Sequence, residues 1–134
     1  MAIKKAIKDL AVLLRSMQPV LDPQAYVFCC IASDLNDVLS LKPIATFHEK
    51  EGLTLVITQE TANLENLVYD GVFCKITLSV YSSLAAVGLT AAVAGALAAH
   101  GISANVMAAF HHDHVFVPQA DAQQALAILN TLSA

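Results

Sequence analysis

The chain has 134 residues, room for one compact domain or two very small fused ones. Its apolar share of 57% and charged share of 13% depart from the roughly 45–50% and about 25% of an average globular chain, so surface must be buried on both faces of its elements or against another copy, and a homodimer or higher oligomer is expected. The net charge of −4 sits on an acidic body behind a basic start (Lys4, Lys5, Lys8 and Arg15 against Asp9), which argues against nucleic acid as a partner.

Ile3, Ile7, Leu10, Leu14 and Met17 recur at helical spacing, so an amphipathic helix is expected, ending before Pro19. No apolar targeting core follows its lysines, and a cytoplasmic location is expected. Residues 19–23, bounded by prolines, read as a connector. Residues 26–31 (YVFCCI) form an apolar run of β-formers, a buried strand. Within it Cys29 and Cys30, like Cys74 later, read as buried reduced thiols, since their spacing suits no metal. Ser33 is placed to cap a short helical turn over residues 34–39.

Two strands, 44–48 and 53–58, then flank a polar loop closed by Gly52. Thr58 opens a helix through Leu67, with Glu60 in its first turn. Asp70 and Gly71 make a turn. Residues 73–81 (FCKITLSVY) are a strand. Ser82 or Ser83 then caps a long helix from 84 to 100, and Gly101 stands where a left-handed residue ends it, with Ile102 reaching back to Leu97. Residues 84–99 are apolar but for one Thr, yet fall short of the roughly 20 residues that span a bilayer and are Ala- and Gly-rich. No membrane is expected. Strands 103–110 and 114–117 flank a turn at 111–113, and Asp121 opens a last helix with Ala122, Ala125, Leu126 and Leu129 inward.

The order is a helix followed by two βαββα runs. Ala45, Thr46, Phe47 and His48 before the first hairpin loop match Ala108, Ala109, Phe110 and His111 before the second. This points to a tandem duplication, with residues 1–71 holding the N-terminal helix and first unit and residues 72–134 the second. The fold class is α+β: two ferredoxin-like units with antiparallel sheets and helices on one face. His48 and His111 are expected at equivalent hairpin positions.

Residues 76–92 (ITLSVYSSLAAVGLTAA), 101–105 (GISAN) and 112–118 (HDHVFVP) resemble the C-terminal half of a family of small stand-alone tandem ACT-domain proteins, and residues 26–28 and 51–56 resemble its first half. The likeness runs from about Leu10 to Leu132. It implies a regulatory module, not an enzyme, that binds an amino acid or similar metabolite at an interface between domains. No cofactor is implied. It places the ligand where the second unit's first strand meets its helix: Ser82, Ser83, Leu84, Val87 and Gly88, with Asn105 nearby. Physical chemistry fits a carboxylate at a helix start, where free N–H groups and partial positive charge converge. Plain N-capping explains the two serines equally. Gly88, read as lying inside the helix, allows close approach of a ligand or of the sheet. Asn105 is offered to an amine, or is an exposed strand residue.

Two other readings stand beside this one. The chain is alternatively a structural or interaction module acting through self-association. His112 and His114, two apart and so on one strand face, could also hold a metal with His48. No nucleophile elbow or Gly-rich phosphate loop is present in the sequence.

Overall fold

A computed structural model of the chain describes residue 6 and residues 9–81 and 83–134. Among the described residues the α-helices and strands are ordered α1 (Leu10–Arg15), β1 (Pro19–Ile31), α2 (Leu35–Val38), β2 (Ala45–Glu49), β3 (Gly52–Thr58), α3 (Gln59–Leu64), β4 (Phe73–Leu78), α4 (Leu89–Ala98), β5 (Asn105–Ala108), β6 (Asp113–Pro118) and α5 (Ala122–Ser133). The expected element order is therefore present. The positions of Ile3 and Ile7 in the first helix lie outside the described residues.

The chain divides into two units, one of residues 1–23 with 74–134 and one of residues 24–73. In the first, the strands run in the order β1, β4, β6, β5, with residues 19–23 supplying the β1 stretch. The connector expected at 19–23 is thus a strand: neither proline interrupts β1, and Asp22 reaches Lys75 of β4 at 3.5 Å. Proline is tolerated at a strand's first residue or where no ladder donor is needed. β5 and β6 are antiparallel, pairing Asn105 with Phe116 and Ala108 with Asp113.

Strict alternation in β4 sends Cys74, Ile76 and Leu78 inward and leaves Lys75 and Thr77 half-buried. The inward set meets Leu13 and Met17 of the N-terminal segment, Val93 and Leu97 of α4, and Ala125 and Leu129 of α5 in one core. Fully burying a side chain of this kind is worth about 1.5–3 kcal/mol. Gly101 ends α4 as the sequence predicts, at φ +72°, and the Ile102 N–H donates to the Leu97 carbonyl at 3.1 Å while both side chains join the core.

In the second unit the order is β2, β3, β1, with β3 antiparallel to both neighbours. Val27, Cys29, Leu53, Leu55 and Ile57 form its core with Val38 and Ala62 of the two helices. Thr58 caps α3, its Oγ1 accepting from the Thr61 N–H at 3.2 Å. The short helix α2 starts after Asp34, not after Ser33. Cys29 and Cys74 are buried, but Cys30 is exposed, because adjacent residues of a strand face opposite ways.

The matching tetrapeptides do not occupy matching places. Ala45 begins β2, so His48 lies within that strand opposite Leu53. Ala108 ends β5, so His111 lies in the turn beyond it. Among the described residues no helix is long and apolar enough to cross a membrane.

Candidate ligand site

β4 stops at Leu78, well before the serines, and α4 starts only at Leu89. The long helix expected from 84 is therefore preceded by a loop. Ser82 lies outside the described residues. Ser83 does not cap α4; its Oγ accepts from the Ala85 N–H at 3.2 Å and its carbonyl from the Ala86 N–H at 2.9 Å. Such local bonding by serine competes with helix and explains the late start. Leu84 and Val87 in this loop are 68% and 84% exposed.

Gly88 is not inside the helix but is its N-cap, at φ +102° and ψ −20°. That backbone is strained for any residue bearing a Cβ, and a Cβ there would stand 3.0 Å from Leu10 Cδ2. Its carbonyl accepts from the Ala92 N–H at 2.9 Å, closing the first helical turn. A glycine has no side chain with which to cap. In contrast, α1 is capped by Asp9 Oδ1, accepting from the Val12 N–H at 3.1 Å, and α3 by Thr58. α4 thus begins without an N-cap side chain, and the α4 amides have no acceptor from that position.

The β5–β6 turn adjoins the end of β4. Its Ala109 N–H donates to the His112 carbonyl at 3.0 Å. His112 Nδ1 donates to the Val80 carbonyl at 3.2 Å, since a carbonyl only accepts. The Tyr81 ring lies 6.1 Å from that of Phe110 and 5.1 Å from that of His111. Neither Tyr81 nor Phe110 is among the residues expected at the site; the signal for them in the sequence is an aromatic-imidazole string at a turn. Asn105, at the far end of β5 from this turn, stands roughly 10 Å further along the strand at about 3.3 Å per residue, and the structure does not bring it to the loop.

His112 lies just before β6 and His114 within it. His114 Nδ1 is 2.9 Å from Thr77 Oγ1 on β4. Among the described residues no group of three His, Cys, Asp or Glu side chains is placed to hold a metal, so the alternative with His48 gains no support.

Between the two histidines, Asp113 is buried. Desolvation holds its carboxyl above the ordinary 3.8, against a smaller opposing pull from His112. His114 is held below the ordinary 6.5, first by burial and then by Lys75 and His112. A carboxyl with a raised folded pKa favours folding most below its unfolded value, and that advantage is lost as pH rises through the folded value. Asp113→Asn is therefore expected to be more stable than the wild type at neutral pH, with the difference shrinking as pH falls toward 3.8. His114 has the opposite sign: its contribution is complete above 6.5 and lost as pH falls below it. Urea midpoints of both proteins across this range check the difference; one that grows on acidification contradicts it.

Helix-backed antiparallel strands in the order seen here define the ferredoxin-like class, two units in one chain. The chain belongs to the ACT-domain family, which it matches over residues 5–75 and again over residues 74–131. A crystal structure of a protein of unknown function from Vibrio cholerae, described as a possible transport protein, is 53% identical, with 93% of this chain and 96% of that one covered and a TM-score of 0.86. The ligand-free regulatory subunit of aspartate kinase from Thermus thermophilus has the same fold at 11% identity, with 87% and 97% covered and a TM-score of 0.62. Aspartate kinase from Clostridium acetobutylicum matches at 11% identity and a TM-score of 0.65, over 87% of this chain and 34% of that one. No curated protein matches the chain. ACT domains are regulatory rather than catalytic modules, and membership supports a ligand-binding regulatory module.

Proposed function

We propose that the protein is a non-catalytic, cytoplasmic sensor of a small carboxylate-bearing metabolite, most simply an amino acid, and that binding changes how copies of the chain associate. The two repeats are taken as residues 1–71 and 72–134. The observation that carries the reading is the start of α4, where a glycine stands in place of the capping side chains that α1 and α3 have. The ligand carboxylate sits on the α4 amides, with Ser83, Leu84, Val87 and Gly88 around it; Ser82, outside the described residues, is carried from the sequence reading. The helix dipole adds favourable charge there. Asn105 joins from the exposed edge strand β5 of a second copy, because within one copy that strand carries it away from the loop. The aspartate kinase regulatory subunit of like fold supports a regulatory role by analogy.

Calorimetry with each of the twenty amino acids is expected to give binding in the micromolar to millimolar range, about −4 to −8 kcal/mol, because such ligands have few atoms. Silence for all of them well above millimolar concentration refutes the ligand reading.

The interaction-module reading has one observation of its own. An apolar groove of about 440 Å³ opens between α4 and α5, lined by Ala96, Ala99, His100, Ile128, Thr131 and Leu132. Self-association through this face or through the β5 edge is the proposal common to both readings. Sedimentation is expected to give at least a dimeric mass at micromolar concentration; a monomer at high micromolar concentration contradicts it.

A further inference from the structure

The loop preceding α4 has a neighbour of distinct chemistry. Tyr81, Phe110 and His111 form a ring cluster, with centroids 5.1 Å apart for Tyr81–His111 and for Phe110–His111 and 6.1 Å for Tyr81–Phe110. The rings are inclined at 39–67° to one another rather than closed into a parallel stack. Phe110 is 64% exposed. A phenylalanine ring left in water at a hairpin turn forgoes most of the burial that aromatic side chains ordinarily gain.

This end of the unit is fixed to the loop. His112 ties the turn to Val80, and Tyr81 in the cluster is two residues from Ser83. Residues 79–90 and 105–112 include no Lys, Arg, Asp or Glu. A cationic or anionic ligand side chain therefore finds no fixed counter-charge in either segment. A flat π system finds three tilted rings and the exposed Leu84 and Val87. Aromatic rings prefer tilted or offset partners to face-to-face ones, and the cluster offers both an edge and a face.

We infer that the metabolite bound beside α4 carries an aromatic side chain, seated on the Tyr81–Phe110–His111 rings. This rests on the reading of the preceding subsection and narrows its ligand class. The carboxylate meets the start of α4 and the ring lies toward the β5–β6 turn. Leucine, of similar apolar size but without a ring, gains the burial and not the ring contacts.

Titration with phenylalanine, tyrosine, tryptophan, leucine and lysine tests this directly. The protein has no tryptophan, so with excitation beyond the tyrosine band all emission comes from the added tryptophan, and its shift reports binding. The aromatic amino acids are expected to bind about three- to tenfold more tightly than leucine, with a blue shift of tryptophan emission. Phe110→Ala is expected to abolish that preference, retaining weak leucine binding and an unchanged melting temperature, since the ring is exposed. His111→Ala is expected to reduce it. Equal affinity for leucine and phenylalanine, preference for lysine, or an intact preference in Phe110→Ala overturns the aromatic assignment while leaving an amino-acid sensor standing. Failure of every amino acid to bind overturns both.

Discussion

Alanine in place of Gly52 is expected to destabilise the unit of residues 24–73 by about 3 kcal/mol or more. Gly52 opens β3 at φ +151°, a conformation that side chains rarely adopt. A Cβ there would stand 2.7 Å from the backbone oxygen of Ile31 and 3.0 Å from Cys30 Sγ. The sulfur can turn aside. The carbonyl cannot, because Ile31 is held in register opposite Leu53. Relief requires β1 and β3 to part at their end, loosening contacts of a small core that has few to spare. Gly71 is the control. It too has positive φ, +78°, but a Cβ there would meet only the ring of Phe73, at 3.4 Å. Gly71→Ala is expected to cost about 1–2 kcal/mol, the backbone preference alone. Urea denaturation of the two variants separates the terms. Equal losses would show that strain, and not the clash with Ile31, governs Gly52.

The second large effect is expected at Leu13. Its side chain is fully buried, and α1 carries it into the core formed with β4, α4 and α5. Truncation to alanine removes the transfer free energy of the lost carbons and leaves a cavity whose walls relax only in part. The expected loss is about 2–5 kcal/mol. Hydrogen exchange gives the sharper readout. Amides of β4, β6 and α5 are expected to lose protection, while those of β2 and β3, in the other unit, keep theirs. A loss below about 1 kcal/mol would mean that α1 is not an integral part of that core.

The two family matches meet at residues 74–75, while the sequence reading sets its boundary after residue 71. Packing groups the chain otherwise, placing residues 1–23 with 74–134. Nothing in local periodicity identifies the core that an amphipathic helix will join, because periodicity fixes which face is apolar and not what it meets.

The regular elements were legible because their signals are local. The strand expected at 73–81, the Thr58 cap and the Gly101 terminator each rest on signals within a few residues; the structure has the cap and the terminator, and a strand that stops at Leu78. Element ends were less legible. The serines before α4 looked like caps, yet Ser83 spends its hydroxyl on a turn, and the helix waits for Gly88. Serine bonds to nearby backbone in either arrangement, so the residue type alone does not choose. Prolines at 19 and 23 looked like punctuation, but β1 begins at the first and continues through the second.

The sequence by itself determined the α+β class, the βαββα order and the loop on which a ligand is proposed, since these rest on periodicity, capping chemistry and family likeness. Only the tertiary structure decided that residues 1–23 pack with residues 74–134, that Asn105 lies at the other end of β5 from the turn, and that Tyr81, Phe110 and His111 meet. The physical reason is one of range. Hydrogen-bond register and side-chain stacking between residues 29 or 30 apart depend on how strands align. Hairpin pairing and core burial set that alignment, and it leaves no mark on the neighbours of either residue in the chain.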